Sequence, residues 1–334
     1  ELFFLHDIML LGPSHIGKIS GDATLHNYSD GIPNSTSSQV HHFAHSPAPG
    51  DRVILRSGRK VIGVGQIPEN AKYCFNETFR CVYGWDLAHC HRVIWASDQC
   101  DLLNISTAFS KMNKIPSFTR VGRKDLINAV QNIDNSYFDR DLKEMPQMDT
   151  SVYTEAELGV ELFRAGISNR NVEDILEALQ QAGRLCSWYR SKYSGRRPSE
   201  SEIISHSILP LFLGLGWSHQ QMAVEWSRVD MAFFKTTPTK NDNCVMILEA
   251  KELGRALNNI VTQPIKYAEN LGLRNVKYII TTDGENLFIY GKNDDKWELN
   301  PIGYISILNL QRNYIVPKGT NLVDTLVMLQ PGSM

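Results

Sequence analysis

No stretch of this chain approaches the roughly 20 consecutive apolar residues that a membrane-crossing helix needs, because charge, Gly or Pro interrupts every hydrophobic run. A soluble protein is expected. Charge of one sign is missing too: the formal net charge is −2 over 334 residues. That balance excludes a protein that coats nucleic acid through bulk positive charge and confines any DNA contact to a local patch. Cysteine is sparse, with Cys74, Cys81, Cys90, Cys100, Cys186 and Cys244 scattered at less than the density of a disulfide scaffold. A reducing compartment follows, with the cytoplasm as the default. The pattern G-x-x-x-x-G-K-[ST] does not occur, so the chain cannot couple its work to nucleotide hydrolysis through that loop. Internal repeats are lacking as well. The opening run Leu2-Phe3-Phe4-Leu5-His6-Asp7-Ile8-Met9-Leu10 is too short and has no basic flank for a signal peptide, and it reads as a buried strand.

What is present is an ordinary globular composition, 42% hydrophobic, in a chain long enough for two or three compact domains. Residues 1–106 carry short β-patterned runs such as Asp51-Arg52-Val53-Ile54-Leu55, Lys60-Val61-Ile62-Gly63-Val64-Gly65 and Arg92-Val93-Ile94-Trp95. These suit a small barrel or curled sheet. Residues 22–38 are polar and turn-rich and read as a long loop leading into a short segment at 39–45. Between 107 and 198 the pattern changes to helical periods, giving a helical connector that ends in the basic linker 191–198. From 199 to 334 helices and strands alternate as in an α/β domain with a mixed sheet. Ser199 and Glu202 form a capping box that starts a helix running to about residue 215. Strands are predicted at 222–226, 229–234, 245–250, 276–281 and 286–290, with a helix at about 256–271. The whole is a multidomain α+β and α/β protein.

Charge interrupts two of these strongly apolar strands. Asp230 lies in Val229-Asp230-Met231-Ala232-Phe233-Phe234, and Glu249 and Lys251 close Val245-Met246-Ile247-Leu248-Glu249-Ala250-Lys251. Strand alternation puts Glu249 and Lys251 on one face, and Asp230 joins them if the two strands are neighbours. Such a cluster is costly to hold near a core without a counter-ion. Two carboxylates with the carbonyl of Ala250 make a good oxygen cage for Mg²⁺ or Mn²⁺. The metal would polarise a phosphodiester and acidify a bound water, with Lys251 orienting the water or stabilising charge. Two acids compete for a role on the preceding helix. Glu202 is explained by the capping box, whereas Glu200 lies on the stripe of Ile203, Ile204, Ser207, Ile208 and Leu211 that should face the sheet. Gln263 and Tyr267 stand one helical turn apart, placed to support the metal ligands or touch phosphate.

Read together, Glu200, Asp230, Glu249-Ala250-Lys251 and Gln263-Pro264-Ile265-Lys266-Tyr267 resemble the ordered motifs of the PD-(D/E)xK nuclease superfamily. The branch is the one that includes the amino-terminal nuclease domain of type I restriction subunits, and the resemblance spans about 198–290. Val229 stands where that family usually has Pro before the motif Asp. The resemblance implies a restriction-endonuclease-like fold and metal-dependent DNA cleavage.

Residues 46–67, with Pro49-Gly50-Asp51-Arg52-Val53-Ile54-Leu55 and then Ile62-Gly63-Val64-Gly65-Gln66-Ile67, resemble the EVE branch of the PUA-like fold, over about 2–95. This implies a β-barrel that binds a modified base between aromatic rings. Trp85, Trp95, Tyr83, Tyr28 and Phe43 are candidates for the stack, and Ser14, His15, Ser37, Ser38 and Gln39 for the base edge. Arg52, Arg56, Arg59 and Lys60 are candidates for holding phosphate. A zinc site from Cys81, His89, Cys90 and His91 is disfavoured, because adjacent ligands do not match the paired spacing of zinc modules. The expectation is a type IV-like, modification-dependent endonuclease used against phage, acting on double-stranded DNA with a modified cytosine and dimeric at least on DNA. Two other readings stand beside it: a nucleic-acid reader with an inactive nuclease-like scaffold, and a nuclease on unmodified DNA.

Overall fold

A computed structural model describes residues 2–12, 19, 34–57, 60–96, 105, 118–191, 194–255, 257, 260–317 and 319–334. It is a mixed α/β protein with several sheets, one of them mixed in strand direction. The chain divides into two compact units, Glu1–Met148 and Asp149–Met334. Residues 107–198, expected as a helical connector, fall on both sides of that division.

The first unit runs α1 (Leu2–His6), β1 (Ile8–Leu11), α2 (Asn34–His45), β2 (Arg52–Ser57), β3 (Lys60–Gln66), β4 (Cys74–Phe75), β5 (His89–Arg92), β6 (Ile94–Trp95) and α3 (Lys124–Gln131). The opening apolar run is thus a helical turn and then a strand, not one strand. Asp7 separates them at φ 51°. Its buried carboxylate accepts from Arg140 at 2.6 and 2.7 Å and from the backbone N–H of Lys143 at 2.9 Å, which holds a conformation that few non-glycine residues adopt. These interactions set the Asp7 carboxyl below its usual range against the opposing effect of burial. Residues 34–38, expected in a loop, begin α2. Ser, Thr and Asn are poor helix formers, but Ser37, Val40 and Phe43–Ala44 repeat at helical spacing and are all buried, so packing decides.

The described strands of this unit form two separate three-stranded sheets, β1-β5-β4 and β2-β3-β6, each antiparallel. No closed barrel is found among the described residues, which departs from the barrel expected. Gly65 lets the second sheet close over its core: a Cβ there would lie 2.3 Å from Val93 Cγ1 and 2.8 Å from Trp95.

In the second unit α4 (Glu155–Arg164) and α5 (Asn169–Arg190) precede a bent helix made of α6 (Glu200–Ile203), a π turn at Ile204–Ile208, and α7 (Leu209–Gly214). Pro210 explains the π turn. It has no N–H to give the carbonyl four residues back, and the ladder widens so that the N–H of Leu209 reaches Ile204 O instead. Then come β7 (Met222–Trp226), β8 (Val229–Phe234), β9 (Cys244–Ala250), α8 (Thr262–Asn270), β10 (Tyr278–Thr282), β11 (Asn286–Tyr290), the short hairpin β12 (Lys292–Asn293) and β13 (Lys296–Trp297), β14 (Gly303–Ser306) and α9 (Leu322–Met328).

One six-stranded sheet organises this unit, in the order β14-β11-β10-β9-β8-β7. β9 and β10 are parallel and joined through α8; the other pairs are antiparallel. Every residue of β9 is buried, as expected for a central strand written as an unbroken apolar run. The bent helix packs on the sheet through Phe212, and the segment after it through Trp217, whose rings lie 4.4 and 5.1 Å from that of Phe233. Trp217 Nε1 donates to Leu329 O at 2.8 Å, so the buried indole is satisfied. Among the described residues no helix is long and apolar enough to cross a membrane.

The β7–β8 hairpin turns on Ser227 and Arg228, both left-handed at φ 49° and 79°, where Asn-Gly is the favoured pair. A β-carbon at each position is strained. Arg228→Gly should stabilise the unit by about 0.5–1 kcal/mol, read as a higher denaturant midpoint at unchanged slope.

Candidate active site

The acidic residues meet at the ends of the central strands. β8 and β9 are antiparallel with Met231 opposite Leu248, and one further step along that register sets Asp230 opposite Glu249. Asp230 Oδ2 accepts the backbone N–H of Ala250 at 2.7 Å, a clamp between the two strands at this point. Lys251 Nζ donates to Glu249 Oε1 at 2.6 Å and to Ala250 O at 2.9 Å. Glu200 Oε1 lies 3.9 Å from the same ammonium. The backbone N–H of Lys251 donates to Thr282 O at 2.8 Å, which extends the parallel pairing one residue past β9.

Glu202 is held elsewhere. Its carboxylate accepts from Ser199 N–H at 2.9 Å and from Arg196 at 2.7 and 2.5 Å, and the Arg196 hydrogen bonds lead in pulling its pKa down to about 2. Glu202 is thus the capping acid, and Glu200 is the one that faces Lys251.

Glu249 is the electrostatic centre. Only 3% of it is exposed, and burial pushes its carboxyl above the ordinary range; the hydrogen bond from Lys251 opposes this, while the charges of Asp230 and Glu200 add to it. Its Oε2 is buried without a hydrogen-bond partner. Thr281, its neighbour across the parallel pair and so on the same sheet face, also has a buried hydroxyl with no partner. A buried acceptor with open lone pairs is costly unless something fills them. Among the described residues no three His, Cys, Asp or Glu side chains come together as a metal group. The donors here are of another kind: two carboxylates and the Ala250 carbonyl, all oxygen, with Glu249 Oε2 unclaimed. That set fits a hard divalent cation such as Mg²⁺.

Gln263 and Tyr267 sit on α8, where Gln263 Nε2 donates to Tyr267 Oη at 2.9 Å. Among the described residues no hydrogen bond joins this pair to the acidic residues. The two acids of the turn after β10, Asp283 and Glu285, were not among the site residues expected from the sequence. Asp283 Oδ2 accepts Gly254 N–H at 3.0 Å, and its Oδ1 accepts the N–H groups of Glu285 and Asn286 at 3.1 and 2.8 Å. It thereby ties the segment after Lys251 to the β10–β11 turn. Two acids directly after a buried strand were the available signal.

Glu285 is buried beside Arg190, with the guanidinium 2.5 Å from Oε2 but not aligned to donate. Burial outweighs this contact and pushes the carboxyl up to about 7. A raised folded-state pKa stabilises below the unfolded value, and that contribution is lost as pH climbs through the folded one. Stability should thus fall between about pH 4.5 and 7. Glu285→Gln should flatten that fall, removing a slope on the order of 2–3 kcal/mol across the window in denaturation measured at successive pH values.

In the first unit the candidates separate. Trp95 is 3% exposed, donates Nε1–H to Ile8 O at 3.1 Å and packs with its ring tilted 5.4 Å from that of Phe4, which makes it a core residue rather than a stacking platform. Phe43, 1% exposed, is core as well. Trp85 is 57% exposed on a tight turn closed by paired hydrogen bonds between Val82 and Trp85, with Tyr83 and Gly84 at positive φ. Ser37 is buried in α2, Ser38 half-buried beside it, and Gln39 Oε1 accepts the N–H of Phe118 at 3.3 Å. Arg52 is engaged within its own unit, bonded to Asn135 and lying 3.7 Å over the ring of Phe138, so it is not a free phosphate clamp. Arg56 is half-buried on β2, and Lys60 is exposed at the start of β3. Ser14, His15, Tyr28 and Arg59 lie outside the described residues. Compared with family models, curated proteins and solved structures, the chain has no match.

Proposed function

We propose that the second unit is a divalent-metal-dependent DNA endonuclease of the PD-(D/E)xK kind, and that the first unit directs it to DNA carrying a modified cytosine. The observation that carries the reading is the meeting of Asp230, Glu249, the Ala250 carbonyl and Lys251 at the ends of neighbouring strands, with a buried Glu249 oxygen unclaimed. The order of elements supports it: a helix bearing Glu200, three antiparallel strands, a helix, and a strand returning parallel to the third.

Asp230, Glu249 and the Ala250 carbonyl are the groups that would hold Mg²⁺ or Mn²⁺. When bound, the cation supplies Lewis-acid polarisation of the phosphodiester and a more acidic water. The protein's own part is to place charge. Asp230 fixes the spacing of β8 and β9 through its bond to Ala250 N–H. Lys251 holds a positive charge beside Glu249, from where an ammonium can donate to an attacking water or a phosphate oxygen, and Glu200 draws it from the other side. Gln263 and Tyr267 form a polar pair on α8 suited to a DNA phosphate.

For the first unit, Trp85 is the aromatic residue best placed to stack on a base, since its indole is largely exposed. This reader role keeps the EVE and PUA-like resemblance as its basis. A cut in both strands needs two catalytic units, so the protein acts as a dimer on DNA.

Plasmid cleavage in Mg²⁺ tests the whole reading, comparing unmodified DNA with DNA containing 5-methylcytosine or 5-hydroxymethylcytosine. Cutting confined to a modified substrate is the expected result. Equal cutting of all three removes the reader, and binding without any cutting assigns the protein to nucleic-acid recognition alone.

A further inference from the structure

We infer that Cys74 and Cys90 are a redox pair that closes to an intramolecular disulfide under a small-molecule disulfide oxidant and reopens under thiol. The two residues face each other directly across the antiparallel β4–β5 pair. Residues so paired have Cα atoms about 4.5–5.5 Å apart, and a disulfide spans Cα separations of about 4.4–6.8 Å. The thiols are close enough for the Cys74 side chain to hydrogen-bond to Cys90, and this contact together with burial raises the Cys90 thiol far above its usual range. The pair is asymmetric in a useful way. Cys90 is fully buried on the middle strand, whereas Cys74 is half-buried on the edge strand β4, where an oxidant can reach it. The cysteines of the second unit are differently placed. Cys186 Sγ donates to Gly284 O at 3.3 Å, and Cys244 is paired with Phe234.

The chemistry balances with oxidised glutathione as the electron acceptor. The Cys74 thiol loses its proton to solvent, and its sulfur attacks one glutathione sulfur, forming a mixed disulfide and expelling one glutathione thiolate. Cys90 then gives up its proton and attacks Cys74 Sγ, expelling the second thiolate. The protein loses two protons and two electrons, and one glutathione disulfide becomes two glutathione thiols. Directly opposed strand residues hold their Cβ atoms about 4.5–5.5 Å apart, wider than the roughly 3.5–4.5 Å of a relaxed disulfide. Closure must draw β4 towards β5, and the bond should be readily reduced, as suits a switch in a reducing compartment. It staples the ends of the segment 75–89, which carries the turn with the exposed Trp85.

Peptide mapping of the native full-length chain tests this: incubate with oxidised glutathione, quench with acid, unfold in the presence of an alkylating reagent and digest. The expected product is a linked Cys74–Cys90 peptide lacking two hydrogens, with two fewer alkylated cysteines than the reduced protein and full reversal by reduced glutathione without denaturant. Cys244 should remain alkylatable once the chain is unfolded. Glutathione left on Cys74 with Cys90 still free, or a linkage that appears only after denaturation, would overturn the proposal. Cys74→Ser and Cys90→Ser should each remove the link. The wild-type map decides the question even if those variants fold poorly.

Discussion

Asp230→Asn should lower Mg²⁺-dependent DNA cleavage by at least about 10³-fold while leaving DNA affinity nearly unchanged. The asparagine is the sharper variant because its carbonyl can still accept the Ala250 N–H that Asp230 Oδ2 accepts at 2.7 Å. Only the negative charge is removed. Asp230→Ala should also abolish cleavage but would leave that backbone N–H without its partner, a penalty of about 1–3 kcal/mol if water cannot reach it. Cleavage rates paired with binding isotherms in Ca²⁺ separate the two contributions. A variant that cuts at the wild-type rate would show that the catalytic centre lies elsewhere.

Lys251→Met should be the most disruptive single change at the site. Its ammonium is the hydrogen-bond donor to the 3%-exposed Glu249 and also contacts Ala250 O. Methionine keeps the length of the side chain and removes the charge, leaving a buried carboxylate with nothing to balance it. The Glu249 carboxyl, already raised by burial, should move higher still. A raised folded-state pKa favours the folded protein at acid pH and penalises it as pH rises, so the stability gap between variant and wild type should widen from pH 5 to pH 8. The gap at pH 8 should be on the order of 2–4 kcal/mol. Denaturant midpoints at the two pH values report it. Cleavage should fall by at least about 10²-fold, because no ammonium remains to donate to the attacking water or a phosphate oxygen.

The second unit was far more legible in the sequence than the first, for physical reasons. Strands at 222–226, 229–234 and 286–290 were predicted with the bounds the structure gives, and the central strand to within one residue. Three of them, 229–234, 244–250 and 286–290, are largely buried runs bounded by turn residues, and no helical periodicity competes with them. The roles of Glu200 and Glu202 could be divided because a capping box is a local pattern with a local geometry. The meeting of Asp230 and Glu249 depended on strand adjacency, which a sequence can propose but not fix.

In the first unit the signals were short or contradictory. A five-residue apolar segment such as Leu2–His6 fits helix and strand equally, and a left-handed Asp7 settled the matter. The start of α2 runs against propensity, so tertiary burial of Ser37, Val40 and Phe43 had to override it. Trp95 and Trp85 carry the same side chain with opposite fates, one in the core and one on a turn. The polar run Tyr83-Gly84-Trp85-Asp86 is the sequence feature that favours Trp85 as the exposed ring. Glu285 and Thr281 gave no sequence signal of burial, since neither residue type ordinarily marks a core position.

Anomalous diffraction from crystals of the protein soaked in Mn²⁺ tests the central claim most directly. The account predicts a metal peak about 2.0–2.3 Å from a carboxylate oxygen of Asp230, from Glu249 and from the Ala250 carbonyl, lost in Glu249→Gln. Density showing no metal at these oxygens, under conditions in which the protein cuts DNA, would contradict it.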